Sequence, residues 1–110
     1  MPFDKETFIE EQGRNAFRML KDFLDCEIDP EWSDEMIFLI LAENITDFHY
    51  EGNQFSISKS KGSTLIKIVD EVSLEHGVVP EQCTFYLEGS DLAELIRKRA
   101  QELQNSNSLL

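Results

Sequence analysis

Residues 58–64, SKSKGST, combine two lysines, one glycine and four hydroxyl groups, which are the ingredients of a phosphate-binding loop. A P-loop requires G-x-x-x-x-G-K-[ST], so that a lysine after the second glycine reaches the terminal phosphates. Here Lys61 precedes Gly62, and no glycine stands five residues before Gly62. The sequence therefore predicts a strand end followed by a helix capped by Ser63, with Lys59 and Lys61 as exposed cations that keep a strand edge soluble.

Two cysteines and two histidines are the other candidates for chemistry. Cys26 and Cys83 are far apart and form no C-x-x-C motif, and His49 and His76 are isolated from them and from each other. These spacings predict neither a zinc site nor a Cys–His catalytic pair. We therefore expect free thiols, no metal, no cofactor and no catalytic residue.

The charges of the chain are grouped. There are 22 Asp and Glu against 10 Lys and Arg, a net charge of −12. Residues 22–58 hold ten acids and no Lys or Arg, residues 59–69 hold three lysines and no acid, and residues 70–96 hold seven acids and no base. This balance disfavours nucleic acid and anionic membranes as partners, and it favours a basic protein partner.

The densest acidic segment is DFLDCEIDPEWSDE, residues 22–35. It lacks the D-x-D-x-D-G series of a calcium-binding loop, so we interpret it as a solvated acidic loop with flanking helix ends. Trp32 in its middle is either a hydrophobic staple on the core, which is the commoner arrangement, or an anchor at an interface. The candidate partner-binding residues are this tryptophan and the surrounding acids: Asp25, Glu27, Asp29, Glu31, Trp32, Asp34, Glu35, Asp47 and Glu51.

Two helices are predicted to position the first part of this segment. Apolar residues at helical spacing predict an amphipathic helix over residues 5–25, with Asp4 as its N-cap and Gly13 weakening its interior. The motif DPEW, with Asp29 as a cap, predicts a second helix over about residues 30–45.

The rest of the chain predicts a mixture of strands and helices. Residues 36–42, MIFLILA, fit a helix or a buried strand, and the preceding start signal favours the helix. Alternating aromatic and apolar residues predict a β-hairpin over residues 46–58. A third helix is predicted over residues 63–76, a third strand over residues 83–88, and a last helix beginning at an Asp91 N-cap.

The order α-α-β-β-α-β-α predicts an α+β domain of about four helices packed on a small, three-stranded, mostly antiparallel sheet. A chain of 110 residues predicts one compact domain, over residues 1–104, with a polar tail at residues 105–110. The start has no basic and apolar regions typical of a secretory signal, and the longest apolar run is shorter than a membrane span. We therefore expect a soluble, cytoplasmic protein.

Together these features predict a small acidic interaction protein, not an enzyme, that binds and neutralises a basic protein. An immunity protein, an antitoxin or a DNA-mimic inhibitor, for example of a nuclease, would need this charge pattern because its target displays a phosphate-binding cleft. Two alternatives stay open. One is a small-anion-binding or enzymatic domain with a pocket near Lys59, Lys61 and the last helix, and the other is a homodimeric regulatory subunit.

Overall fold

A computed structural model describes residues 3–42, 48–60 and 62–108. The predicted α+β class is confirmed, because helices pack against one antiparallel sheet, although the sheet has four strands rather than three. The elements in chain order are α1 (Lys5–Gln12), α2 (Arg14–Glu27), α3 (Ser33–Leu41), β1 (Phe48–Glu51), β2 (Phe55–Lys59), β3 (Leu65–Asp70), α4 (Glu71–Glu75), a short 3-10 helix (Pro80–Gln82), β4 (Thr84–Glu88) and α5 (Gly89–Ser108).

The strands lie in chain order, β1-β2-β3-β4, and each is antiparallel to the next. Because strand side chains alternate between faces, one face of the sheet carries the core. Phe23 of α2 meets Phe55 of β2 edge-on, with 5.8 Å between ring centroids. Helices α2 and α5 pack against β4, and α3 packs against α5. The buried apolar residues of the strands are Phe55, Ile57, Ile66, Ile68, Phe85 and Leu87.

The helix predicted over residues 63–76 is wrong over its first half, because Leu65–Asp70 form strand β3, and only Glu71–Glu75 are helical, as α4. Exposure alternates along β3: Ile66 and Ile68 are buried, whereas Leu65 and Lys67 are exposed. The apolar residues of this segment fit both the spacing of a helix and the two-residue alternation of a strand. Pairing with β2 and β4 selects the strand. The β-branched isoleucines suit this pleated environment.

The single helix predicted over residues 5–25 is two helices. Gly13 has φ 99° and ψ 165°, a conformation that L side chains rarely adopt, and it separates α1 from α2. Its N–H donates to the carbonyl of Ile9 at 2.7 Å and so ends α1. The predicted cap at the other end is confirmed, since the Asp4 side chain accepts a hydrogen bond from the Thr7 N–H.

The apolar run 36–42 lies largely in α3, which confirms the helical interpretation. Ser33, Ile37 and Ile40 are buried at helical spacing and face the core. The predicted second helix also included residues 43–45, and the predicted hairpin began at residue 46. These positions lie outside the described residues.

The predicted hairpin and last strand are confirmed, with shifted ends. Tyr50 of β1 lies opposite Ile57 of β2 in the hairpin. The last helix begins at Gly89, directly after β4, rather than after a cap at Asp91. The Gly89 N–H donates to the Thr64 carbonyl at 2.9 Å, which fixes this sharp entry into α5.

Lys59 is buried, which corrects the prediction that it is an exposed cation. Only 8% of its surface is exposed, and its Nζ donates to the carbonyl oxygens of Ile40 (3.2 Å) and Ala42 (3.0 Å). Carbonyls at a helix C-terminus have no partner within the helix and carry the negative end of its dipole. Lys59 therefore ties β2 to the end of α3. Lys61 lies outside the described residues.

We expect Lys59→Met to lower the free energy of unfolding by about 1–3 kcal/mol, because the ammonium is lost while the apolar stem is retained. The matched control is Lys67→Met on the exposed face of the neighbouring strand, which should change stability by less than about 0.5 kcal/mol. Urea unfolding followed by circular dichroism measures both. Equal effects of the two substitutions would contradict a role for the Lys59 ammonium.

Candidate functional site

Trp32 lies in the turn before α3 and exposes 58% of its surface. The staple interpretation is therefore wrong, since this side chain is not part of the core cluster. Asp29 shapes the turn: its carbonyl accepts hydrogen bonds from the N–H groups of Trp32 (3.0 Å) and Ser33 (2.9 Å). Its Oδ1 also accepts from the Glu31 N–H at 3.0 Å. These hydrogen bonds fix the backbone of Trp32 at the start of α3, and its side chain is exposed.

An apolar cleft of about 120 Å³ opens between α3 and the β1–β2 hairpin, and Trp32 forms part of its wall. Tyr50 is on the core-facing side of β1, opposite the buried Ile57, yet 42% of its surface is exposed. We call this feature the α3–β1 cleft. It is lined by Trp32, Glu35, Met36, Leu39, Tyr50 and Ile57.

Helix α3 carries more apolar side chains than its core face buries. Phe38 is 64% exposed and Leu41 is also exposed, while Ile37 and Ile40 point inward. A helix that is apolar on several faces usually has a further partner, and a large exposed apolar patch marks an interaction site. The run MIFLILA carries this signal in the sequence, because it has more consecutive apolar residues than one buried face of a helix needs.

Four of the predicted site carboxylates surround Trp32 in the chain and are exposed: Asp29, Glu31, Asp34 and Glu35. We call these four residues the acidic surface. Glu35 also lines the α3–β1 cleft, so the carboxylates and the apolar site adjoin. Because residues 22–58 contain no Lys or Arg, no cation from this segment neutralises them.

The other predicted site acids are placed elsewhere. Asp25 on α2 is exposed and forms an ion pair with Arg99, with 3.3 Å between Oδ1 and Nη2. Glu51 on β1 lies 3.4 Å from Nε2 of His49, and strand alternation places both on the face opposite Tyr50. Asp47 lies outside the described residues.

Glu27 does not contribute to the acidic surface, because its side chain is buried. Its carboxylate accepts hydrogen bonds from three consecutive backbone N–H groups of the hairpin turn, those of Asn53 (2.9 Å), Gln54 (3.0 Å) and Phe55 (2.7 Å). A Cβ on Gly52 would overlap this carboxylate, so the glycine permits the close approach. Glu27 therefore holds the hairpin against the end of α2.

The cysteines are free thiols, and their hydrogen-bond partners are not histidines. Cys26 Sγ donates to Gln54 Oε1 at 3.8 Å, and Cys83 Sγ donates to the Val78 carbonyl at 3.6 Å. Partial removal from water raises the pKa of both thiols. Nδ1 of His76 lies 2.7 Å from the carbonyl of Val72 in α4, which confirms its predicted place at a helix end.

The cations considered for an anion pocket are separated within the described part of the chain. Lys59 lies opposite Ile66, so strand alternation places Lys67 on the other face of the sheet. Arg99 on α5 is engaged by Asp25 and by Glu102, whose Oε2 lies 3.3 Å from Nη1. Over the same described residues, no three His, Cys, Asp or Glu side chains are placed to hold a metal ion.

Comparison of the chain with protein-family models, with curated proteins and with solved structures found no match. Among the helices within residues 3–42, 48–60 and 62–108, none has both the length and the apolar character needed to cross a membrane.

We expect Glu27→Gln to lower the free energy of unfolding by about 2–3 kcal/mol, because a single amide oxygen replaces a carboxylate that accepts three hydrogen bonds. Asp25→Asn on the same helix is the control and should change stability by less than about 0.5 kcal/mol, because its ion pair is exposed. Amide hydrogen exchange at residues 53–55 should accelerate in the first variant alone. Unchanged exchange there would contradict the assigned hydrogen bonds.

We expect the Cys26 thiol to react slowly with iodoacetamide at neutral pH. Desolvation raises its pKa most, and the negative charges of Asp22, Glu27 and Asp25 raise it further, so less thiolate is present than in an ordinary cysteine. The alkylation rate, followed by mass spectrometry of the Cys26 peptide, should increase with pH. It should reach half of its maximum at a pH above the ordinary thiol pKa. The urea-unfolded chain is the control, and equal rates folded and unfolded would contradict the shift.

Proposed function

We propose that this protein binds a basic protein partner through the acidic surface together with Trp32. The observation that carries the proposal is the exposure of this tryptophan, 58% of its surface, between four exposed carboxylates and beside an apolar cleft. Tryptophan is enriched among the residues that dominate binding energy, and such residues lie in apolar patches with a polar rim. The tryptophan and the cleft would provide the affinity, and the carboxylates would select a cationic partner.

The charge distribution supports fast association. Exposed charges of one sign attract a partner of opposite sign before contact, and this steering weakens as salt shortens the screening length to about 8 Å at 0.15 M. The acidic surface lies within a segment of ten acids and no Lys or Arg, so no cation of this segment opposes its field. Buried Glu27 and paired Asp25 contribute less to that field than their presence in the sequence suggests.

The biological form of this function would be neutralisation of the partner. Proteins that bind nucleic acid present clustered cations to phosphates, and an acidic domain that covers those cations blocks them. An immunity protein, an antitoxin or a DNA-mimic inhibitor acts in this way, and a nuclease is a suitable target. This role requires no catalytic residue of the chain itself.

The alternatives receive less support from the described residues. A pocket for a small anion near Lys59 would compete with the two α3 carbonyls that already accept from its ammonium. A homodimer formed through the acidic surface would bring like charges together in a chain of net charge −12.

The test is capture of partners from the cell of origin on the immobilised protein, followed by kinetics on each captured protein. The reversal variant changes Asp29, Glu31, Asp34 and Glu35 to Lys. We expect its association rate to fall by about tenfold or more, since the loss of steering acts on this rate. Trp32→Ala should leave association nearly unchanged and speed dissociation, as expected for an anchor.

The control variant reverses four other exposed acids and so changes the net charge equally: Glu10, Glu75, Glu81 and Glu94. It should retain most of the association rate, whereas higher salt should slow association of the wild-type protein. Binding that is indifferent to salt and to reversal of the acidic surface would contradict the proposed function. Circular dichroism confirms that each variant is folded before it is compared.

A further inference from the structure

The two edges of the sheet differ. At the β4 edge, the side-chain amide of Gln12 donates to the Tyr86 carbonyl (2.7 Å) and accepts from the Tyr86 N–H (2.8 Å), as a neighbouring strand would. Asn15 Nδ2 also donates to the Gln82 carbonyl at 3.0 Å. Gln12 of α1 thus occupies this edge, and Asn15 of α2 binds the 3-10 helix just before it, so both hinder pairing with another chain.

The β1 edge has no such cover among residues 3–42, 48–60 and 62–108. The turn shows which residues of β1 form hydrogen bonds with β2, because the Gly52 N–H donates to the Phe55 carbonyl at 2.8 Å. Bonded pairs alternate in an antiparallel ladder, so Tyr50 directs its backbone groups towards Ile57. His49 and Glu51 direct their N–H and C=O groups outward, where no backbone group of the described residues pairs with them and an added strand could do so.

The α3–β1 cleft lies beside this open edge. Tyr50 belongs to β1 and also lines the cleft, and its half-exposed ring marks where the core-facing side of the sheet stops. A strand added to β1 would extend that side of the sheet by one strand. Because side chains alternate, every second residue of the added strand would point towards the cleft between Tyr50 and Trp32.

The acidic residues around the cleft and on β1 indicate what kind of segment could bind there. Glu35 lines the cleft, Glu51 lies on β1 itself, and Glu31 is exposed beside Trp32. A second copy of the chain carries the same net charge of −12, so its approach to these carboxylates is opposed by like charge. An extended segment that alternates apolar residues with Lys or Arg matches both the cleft and its acidic rim.

We infer that the β1 edge accepts an extended, basic segment of the partner as a fifth strand, with an apolar side chain of that segment in the α3–β1 cleft. This inference rests on the proposed function and specifies how the basic partner binds. The outward backbone groups of His49 and Glu51 pair with the segment, and Trp32 covers its apolar side chain.

The probe is an acetylated and amidated heptapeptide in which lysine alternates with valine and leucine, titrated into the full protein. Amide hydrogen exchange is read by nuclear magnetic resonance. We expect the N–H groups of His49 and Glu51 to gain at least about tenfold protection, as backbone hydrogen bonding to the peptide requires. The N–H groups of Tyr50 and Gly52 already point towards β2 and should change little.

Two controls separate strand addition from attraction between charges. The same heptapeptide with alternate backbone nitrogens methylated keeps the charge but loses the backbone donors, and its affinity should fall about tenfold or more. His49→Pro removes one outward N–H at a strand edge where proline is tolerated, and it should weaken binding of the unmethylated peptide. His49→Thr keeps the N–H and should bind as the wild type does.

The following results would overturn the inference. Equal binding of the methylated peptide would show docking by charge alone, and so would absence of protection at His49 and Glu51. Protection that grows with protein concentration in the absence of peptide would show that a second copy occupies the edge. In each case the proposed function still stands if the captured partner remains sensitive to salt and to the reversal of the acidic surface, so the two failures are distinguishable.

Discussion

The buried carboxylate of Glu27 is the interaction on which the rest of this structure depends. Three consecutive N–H groups of a tight turn have no partner in the hairpin ladder, and burying them unpaired would be costly. Glu27, the last residue of α2, accepts from all three, and Gly52 leaves the space for it. The Glu27 side chain therefore joins the end of α2 to the hairpin and fixes the position of β1.

Lys59 performs the corresponding task with the opposite charge. Its ammonium donates to carbonyls at the C-terminal end of α3, so the last residue of β2 is fixed to the helix that carries the exposed apolar side chains. Glu27 thus fixes the hairpin to the end of α2, and Lys59 fixes the end of α3 to β2. The α3–β1 cleft lies between the two elements that these charges hold.

The acids of this chain, whose net charge is −12, have different structural roles. Glu27 is used within the fold, Asp25 pairs with Arg99, and Glu51 lies next to His49. The carboxylates near Trp32 are exposed, next to apolar side chains that the core does not cover. In the proposed function, adjacent groups would supply affinity from the cleft and selection by charge, which is the arrangement that protein interfaces use.

Local features of the sequence determined the α+β class, the Asp4 cap, the helical nature of α3, the hairpin and the last strand, because capping and alternation act over a few residues. The grouping of the acids was equally plain from the sequence. Only the tertiary structure decided that residues 65–70 form a strand, since a segment with two compatible periods takes the one that its neighbours can pair with. It also decided which charges are buried: Glu27 and Lys59 look like other acids and lysines in the sequence, and only long-range contact with unpaired backbone groups makes them structural.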